Sequence, residues 1–115
     1  MTVCVVYVGD LDGFEWEGDW DNNVPTQLSP DFPPMSGSYN STFHDWVKAN
    51  GVVCEQTDFG GWVARVTKSQ IDDFITEIYH VDEMLPWLVP RVVDLKKFVS
   101  TLQQSRTYGL VATEW

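Results

Sequence analysis

Thr2-Val3-Cys4-Val5-Val6-Tyr7-Val8 is β-branched and apolar almost throughout, and Gly9-Asp10-Leu11-Asp12-Gly13 follows it directly. A short run of such residues closed by a Gly/Asp turn signal reads as a central strand, covered on both faces. Residues 14–21 then alternate. In an extended chain, alternate side chains point to opposite faces. One face would carry Phe14, Trp16 and Trp20, with a gap at Gly18, and the other Glu15, Glu17, Asp19 and Asp21. This predicts a hairpin folded back on the first strand, or an extended loop pinned by its tryptophans. Residues 22–38 contain Pro25, Pro30, Pro33, Pro34 and Gly37 and read as loop, of a length that is often functional.

Beyond the loop the periodicity changes to helical. Phe43, Trp46 and Val47 share one face of a helix expected over about Ser41 to Asn50, with Ser38 or Ser41 as cap and Gly51 as stop. Val52–Thr57 and Trp62–Val66 read as a hairpin joined by Asp58-Phe59-Gly60-Gly61. Thr67 and Gln70 form a capping-box pattern for a helix over Lys68–Tyr79, whose apolar stripe is Ile71, Phe74, Ile75 and Ile78. Pro86 and Pro90 interrupt the next segment. A third helix fits Val92–Gln104 through Val92, Leu95, Phe98, Val99 and Leu102, and Tyr108–Thr113 closes the chain as a strand.

Without the acidic insert and one helix, this order is βαββαβ. The expected fold is therefore α+β: an antiparallel sheet with two or three helices in ferredoxin-like order, carrying an acidic hairpin or loop after the first strand. No repeat, linker or low-complexity stretch divides the chain, so one domain spans 1–115. With 115 residues, 43% of them hydrophobic, and six Trp, one core needs no staple. Cys4 and Cys54 read as buried free thiols, and a disulfide stays open if their strands are neighbours. There is no CxxC and no Cys/His cluster, so no zinc is expected. The amino terminus lacks a basic n-region, and no stretch approaches the roughly 18 apolar residues of a membrane span. A cytoplasmic protein is expected.

Seventeen acids oppose seven bases, a formal net charge of −10. Residues 1–47 hold eight acids (Asp10, Asp12, Glu15, Glu17, Asp19, Asp21, Asp31 and Asp45) and no Lys or Arg. Such a field repels nucleic acid and anionic membrane and attracts basic surfaces. No direct nucleic-acid or membrane binding is expected.

The string Val5-Val6-Tyr7-Val8-Gly9-Asp10-Leu11-Asp12-Gly13 resembles the first motif of the haloacid-dehalogenase-like phosphotransferases. The resemblance implies Asp10 as nucleophile, Asp12 as acid/base, magnesium and a parallel α/β core. It covers fewer than ten residues, and Phe14 stands where that family has Thr. An EF-hand register from Asp10 fails, because Phe14 and Glu15 fill its fifth and sixth positions. His44 beside Asp45 and His80 near a helix end lack the spacing of a triad, and Asp58-Phe59-Gly60 fits a hairpin turn. No metal, cofactor or catalysis is expected.

The functional expectation is binding. Asp10, Asp12, Glu15, Trp16, Glu17, Asp19, Trp20 and Asp21 are the candidate contact residues for a basic protein, such as a nuclease or another nucleic-acid-binding protein. Same-face carboxylates about 7 Å apart along a strand mimic a row of phosphates. Phage anti-defence proteins, including anti-CRISPRs, and toxin-neutralising immunity proteins share this small, acidic, single-domain profile. The alternatives are a non-catalytic module that binds through an aromatic surface and, last, a small Mg-dependent phosphohydrolase using Asp10 and Asp12. Trp87 and Trp115 are further candidate anchors, while Met84, Leu85 and Trp87 are expected to form an apolar patch that closes the core.

Overall fold

The computed structural model describes residues 3–12, 14, 25–33, 35–36, 39–56 and 61–114. The chain is α+β. Its strands are β1 (Val3–Asp10), β2 (Thr26–Gln27), β3 (Met35–Ser36), β4 (Cys54–Gln56), β5 (Trp62–Thr67) and β6 (Thr107–Glu114). Its helices are α1 (Tyr39–Ala49), α2 (Lys68–Ile78) and α3 (Val89–Ser100). The sheet order is β2-β1-β6-β5-β4, β3 also pairs with β1, and every described pairing is antiparallel.

The ferredoxin-like order is not formed. That fold places the first strand between the third and the last, whereas here the last strand lies between β1 and β5. The reason is the parity of the crossover. A single helix after a strand carries the chain back to the end where that strand began, so the next strand runs parallel to it. Between β5 and β6 there are two helices, α2 and α3. They return the chain to the end where β5 stops, so β6 starts beside Thr67 and pairs directly, from Thr67↔Thr107 to Trp62↔Ala112. The sheet is likewise not the parallel core that the phosphotransferase resemblance implies.

Residues 25–33 and 35–36, expected as loop, form a broken edge strand alongside β1. Its two ends pair as β2 (Gly9↔Gln27) and β3 (Cys4↔Met35). Pro30 and Pro33 interrupt it because they have no N–H to donate. The break is bridged by other bonds. Leu28 N–H donates to Val8 O at 2.8 Å, and Phe32 N–H to Val6 O at 2.8 Å. Val8 N–H donates to the buried Ser29 Oγ at 2.8 Å, and that hydroxyl donates on to Pro30 O at 2.9 Å. The side chain thus supplies the acceptor that a regular edge strand would offer from its backbone.

One face of the sheet carries Val6, Val8, Ala64, Val66, Tyr108, Leu110 and Ala112, and the helices cover it. α1 contributes Phe43, Trp46 and Val47, α2 contributes Ile71, Phe74 and Ile75, and α3 contributes Val92, Leu95 and Val99. The expected capping box is present, with Gln70 N–H donating to Thr67 Oγ1 and Thr67 N–H to Gln70 Oε1. α1 starts at Tyr39, so Ser41 lies within the helix and is not its cap, and Ser38 is outside the described residues. Gly51 ends α1 at φ +61°, a conformation that only glycine adopts without strain. α3 starts earlier than expected because Pro90 falls in its first turn, where a missing N–H costs nothing. Phe32, fully buried, packs against Phe74 and Tyr79 with ring centroids 6.1 Å from each. Tyr79 Oη donates to Pro33 O at 2.7 Å, and Arg91 Nη2 to Asp31 O at 3.0 Å, so α2 and α3 hold the edge segment down.

β1 is central as expected, with β6 on one side and β2 and β3 on the other. Val6 and Val8 are fully buried, but Val5 and Tyr7 on the second face are only half-buried. Cys54 is a free thiol, and two strands separate β1 from β4. Three strand spacings of about 4.8 Å exceed the Cα separation of a disulfide, which excludes a Cys4–Cys54 bond. No described helix is long and apolar enough to cross a membrane. Ser29→Ala leaves the buried Val8 N–H without its acceptor. It should cost about 1–3 kcal/mol in urea unfolding, whereas the exposed Ser69→Ala should stay within about 0.5 kcal/mol.

Candidate functional site

The register of β1 against β6 places opposite charges together at one end of the sheet. Gly9 pairs with Gly109, so continuing the ladder past the strand end brings Arg106 against Asp12. Arg106 Nη2 donates to Asp10 Oδ1 at 2.6 Å and to Asp12 Oδ2 at 2.7 Å. The turn expected after β1 is present. Asp12 N–H donates to Asp10 Oδ1 at 3.0 Å, and Phe14 N–H to Leu11 O at 3.0 Å. The guanidinium also lies 5.5 Å from the Tyr108 ring centroid. One cation between two carboxylates leaves one net negative charge at this knot. An open depression of about 550 Å³ adjoins it, lined by Leu11, Phe14, Arg65 and Thr107.

The far end of the acidic insert is held as closely. Pro25 lies on the sheet face opposite the helices, over Gly9 and Gly109. A Cβ at Gly9 would meet Pro25 Cβ at 2.6 Å, and one at Gly109 would meet Leu11 Cδ2 at 3.0 Å. The two glycines make room for the entry and exit of the insert. Of the eight sequence-predicted contact residues, Asp10 and Asp12 are brought together here. Glu15, Trp16, Glu17, Asp19, Trp20 and Asp21 lie outside the described residues, as does the predicted hairpin of 14–21.

Asp10 and Asp12, the pair singled out by the phosphotransferase resemblance, share one cation. Arg106 holds one oxygen of each carboxylate, Asp10 Oδ1 and Asp12 Oδ2. Among the described residues, no three His, Cys, Asp or Glu side chains converge to hold a metal ion. His44 packs edge-on against Trp62 at 4.4 Å and Phe43 at 5.6 Å. Burial lowers its pKa, against the opposing pull of Asp45. These contacts make it a packing residue of α1.

Other bases also bind within the fold. Lys96 donates to Asp72 Oδ1 at 2.8 Å, Lys68 to Ser100 O at 3.4 Å, and Arg91 to Asp31 O. The apolar patch expected to close the core divides. Met84 packs against the core, while Leu85 is 56% exposed and Trp87 68% exposed. A lone Trp between Pro86 and Leu88 gives no sequence signal to show which side of the chain it takes. Burial, and after it the Glu55 charge, push the Cys54 thiol up to about 11. Burial and then Asp31 raise the Tyr7 phenol.

Comparison with protein-family models, with curated proteins and with solved structures finds no match to this chain.

Arg106→Gln should lower unfolding stability by about 1 kcal/mol, discounted for the partial exposure of the groups. Asp12→Asn should change it little, because that side chain is 83% exposed against 27% for Asp10. The Cys54 pKa is raised in the folded state, so its stabilising contribution is complete below the ordinary thiol range. It is lost as pH climbs from there towards about 11. Site-resolved mass spectrometry after iodoacetamide treatment at pH 8 should show Cys54 reacting many-fold more slowly than after unfolding.

Proposed function

We propose that this protein is a non-catalytic neutralising partner that binds a basic, nucleic-acid-binding protein such as a nuclease, with the Asp10–Asp21 segment standing in for a row of phosphates. The observation behind this proposal is the charge distribution: eight acids and no base in residues 1–47, within a net charge of −10. Arg and Lys side chains that grip phosphate accept carboxylate in the same fork geometry. Among the described residues, Arg106 binds the root of this segment, through Asp10 and Asp12. Lys68, Arg91 and Lys96 bind elsewhere in the fold. The anti-CRISPR, anti-defence and toxin-immunity proteins, acting inside a cell, are the type that this profile fits.

The test is capture from a cell extract on the immobilised protein. Basic proteins should be retained at low salt and released near 1 M salt, where charges are screened beyond about 3 Å. Their nucleic-acid binding should fall when the protein is added. Combining Glu15→Gln, Glu17→Gln, Asp19→Asn and Asp21→Asn should slow association about tenfold or more. Unchanged capture by that variant, with loss in Trp16→Ala or Trp20→Ala, would replace charge with an aromatic surface. Magnesium-dependent phosphatase turnover abolished in Asp10→Asn would overturn the non-catalytic proposal.

A further inference from the structure

The α2–α3 connection leaves an aromatic side chain in water on a fixed frame. α2 ends where Tyr79 N–H donates to Ile75 O at 3.0 Å, and Tyr79 itself is buried. The 3₁₀ turn Val81–Glu83 follows, closed by Glu83 N–H to His80 O at 2.9 Å and Met84 N–H to Val81 O at 3.2 Å. Met84 fastens this turn to the core, Pro86 fixes its own φ, and Leu88 N–H donates to Leu85 O at 2.9 Å as α3 begins. On this frame Val81, Leu85 and Trp87 are exposed, and so are Asp82 and Glu83. From residue 69 to residue 90 the chain has five acids and no Lys or Arg. Arg91, the next base, is engaged with the backbone of Asp31 and Phe32.

We infer that Val81–Trp87 is a docking surface for a cationic amphipathic segment of a partner protein. An apolar side chain of the partner seats against Trp87 and Leu85, and its Lys or Arg residues face Asp82 and Glu83. Trp is over-represented among side chains that carry binding energy, and its ring face also attracts cations. Charge selects the occupant. A second copy would set the same acids face to face between two chains of net charge −10, and nucleic acid would be repelled. A cationic segment is complementary at both the apolar centre and the acidic rim. The surface shares no residue with Asp10–Asp21 and stands independently of the function proposed above.

The probe is a synthetic Lys/Leu amphipathic peptide, with an oligolysine of equal charge as control. Binding is read by calorimetry and by the Trp87 indole resonance in an ¹H–¹⁵N spectrum. The Lys/Leu peptide should shift that resonance, and oligolysine should leave it in place. Trp87→Ala, a change at an exposed side chain, should retain the wild-type melting curve and weaken binding of the Lys/Leu peptide about tenfold. Asp82→Asn with Glu83→Gln should weaken it severalfold and flatten its salt dependence. Equal affinity in Trp87→Ala would overturn the inference. So would binding lost only when Glu15, Glu17, Asp19 and Asp21 are neutralised, a result that would leave the acidic-segment proposal standing. A dimer in ultracentrifugation that disappears in Trp87→Ala would assign the surface to a second copy instead.

Discussion

The structure depends on β6 being hydrogen-bonded on both sides. It pairs with β1, from the start of the chain, and with β5, from its middle. Strand pairs so distant in sequence form only after long loops have closed, so this ladder carries the non-local order of the fold. Its register determines what meets at the sheet ends. It carries Arg106 to Asp10 and Asp12, and it aligns Gly9 with Gly109 where Leu11 and Pro25 cross the second face. The acidic insert therefore leaves and rejoins a rigid base, whatever its own carboxylates contact.

The outer side of β1 is closed by a different device. Pro30 and Pro33 make the edge segment a poor strand, and the same prolines make its free edge a poor template for another chain. Ser29 compensates by offering its hydroxyl to Val8 N–H. Phe32 compensates by burying its ring under α2, where Tyr79 and Arg91 hold the surrounding backbone. Edge protection and core packing are thus achieved by one segment.

What the sequence revealed and what it hid follow from the range of each interaction. The capping box, the β4–β5 hairpin and the apolar stripes of α1 and α2 are local, and their periodicity and spacing identified them. Sheet order is not local. It turned on whether one helix or two lie between β5 and β6, and setting one helix aside to obtain βαββαβ removed the element that decides the topology. The edge strand was hidden because its prolines mimic a loop while its bonds come from a side chain and irregular pairing. The Arg106 knot joins residues 94 and 96 positions apart, a pairing that no spacing rule shows. Pro90 was read as a break because proline disrupts a helix interior, yet in the first turn it helps to start one.

Charge and aromatic exposure have different consequences for recognition. Long-range attraction accelerates encounter with any cationic surface and weakens with salt, so a field of −10 alone discriminates poorly among basic partners. Discrimination requires contacts that form only when shapes match, and these act mainly on dissociation. The acidic root at Asp10 and Asp12 is half-neutralised by Arg106, which fixes its geometry at the expense of its field. The backbone beneath Trp87 is closed by the hydrogen bonds of the turn and anchored by Met84, so little backbone freedom remains to be lost when a partner seats on it. On the docking proposal, a basic protein drawn in by the field is held longer where it also presents an apolar side chain to that indole.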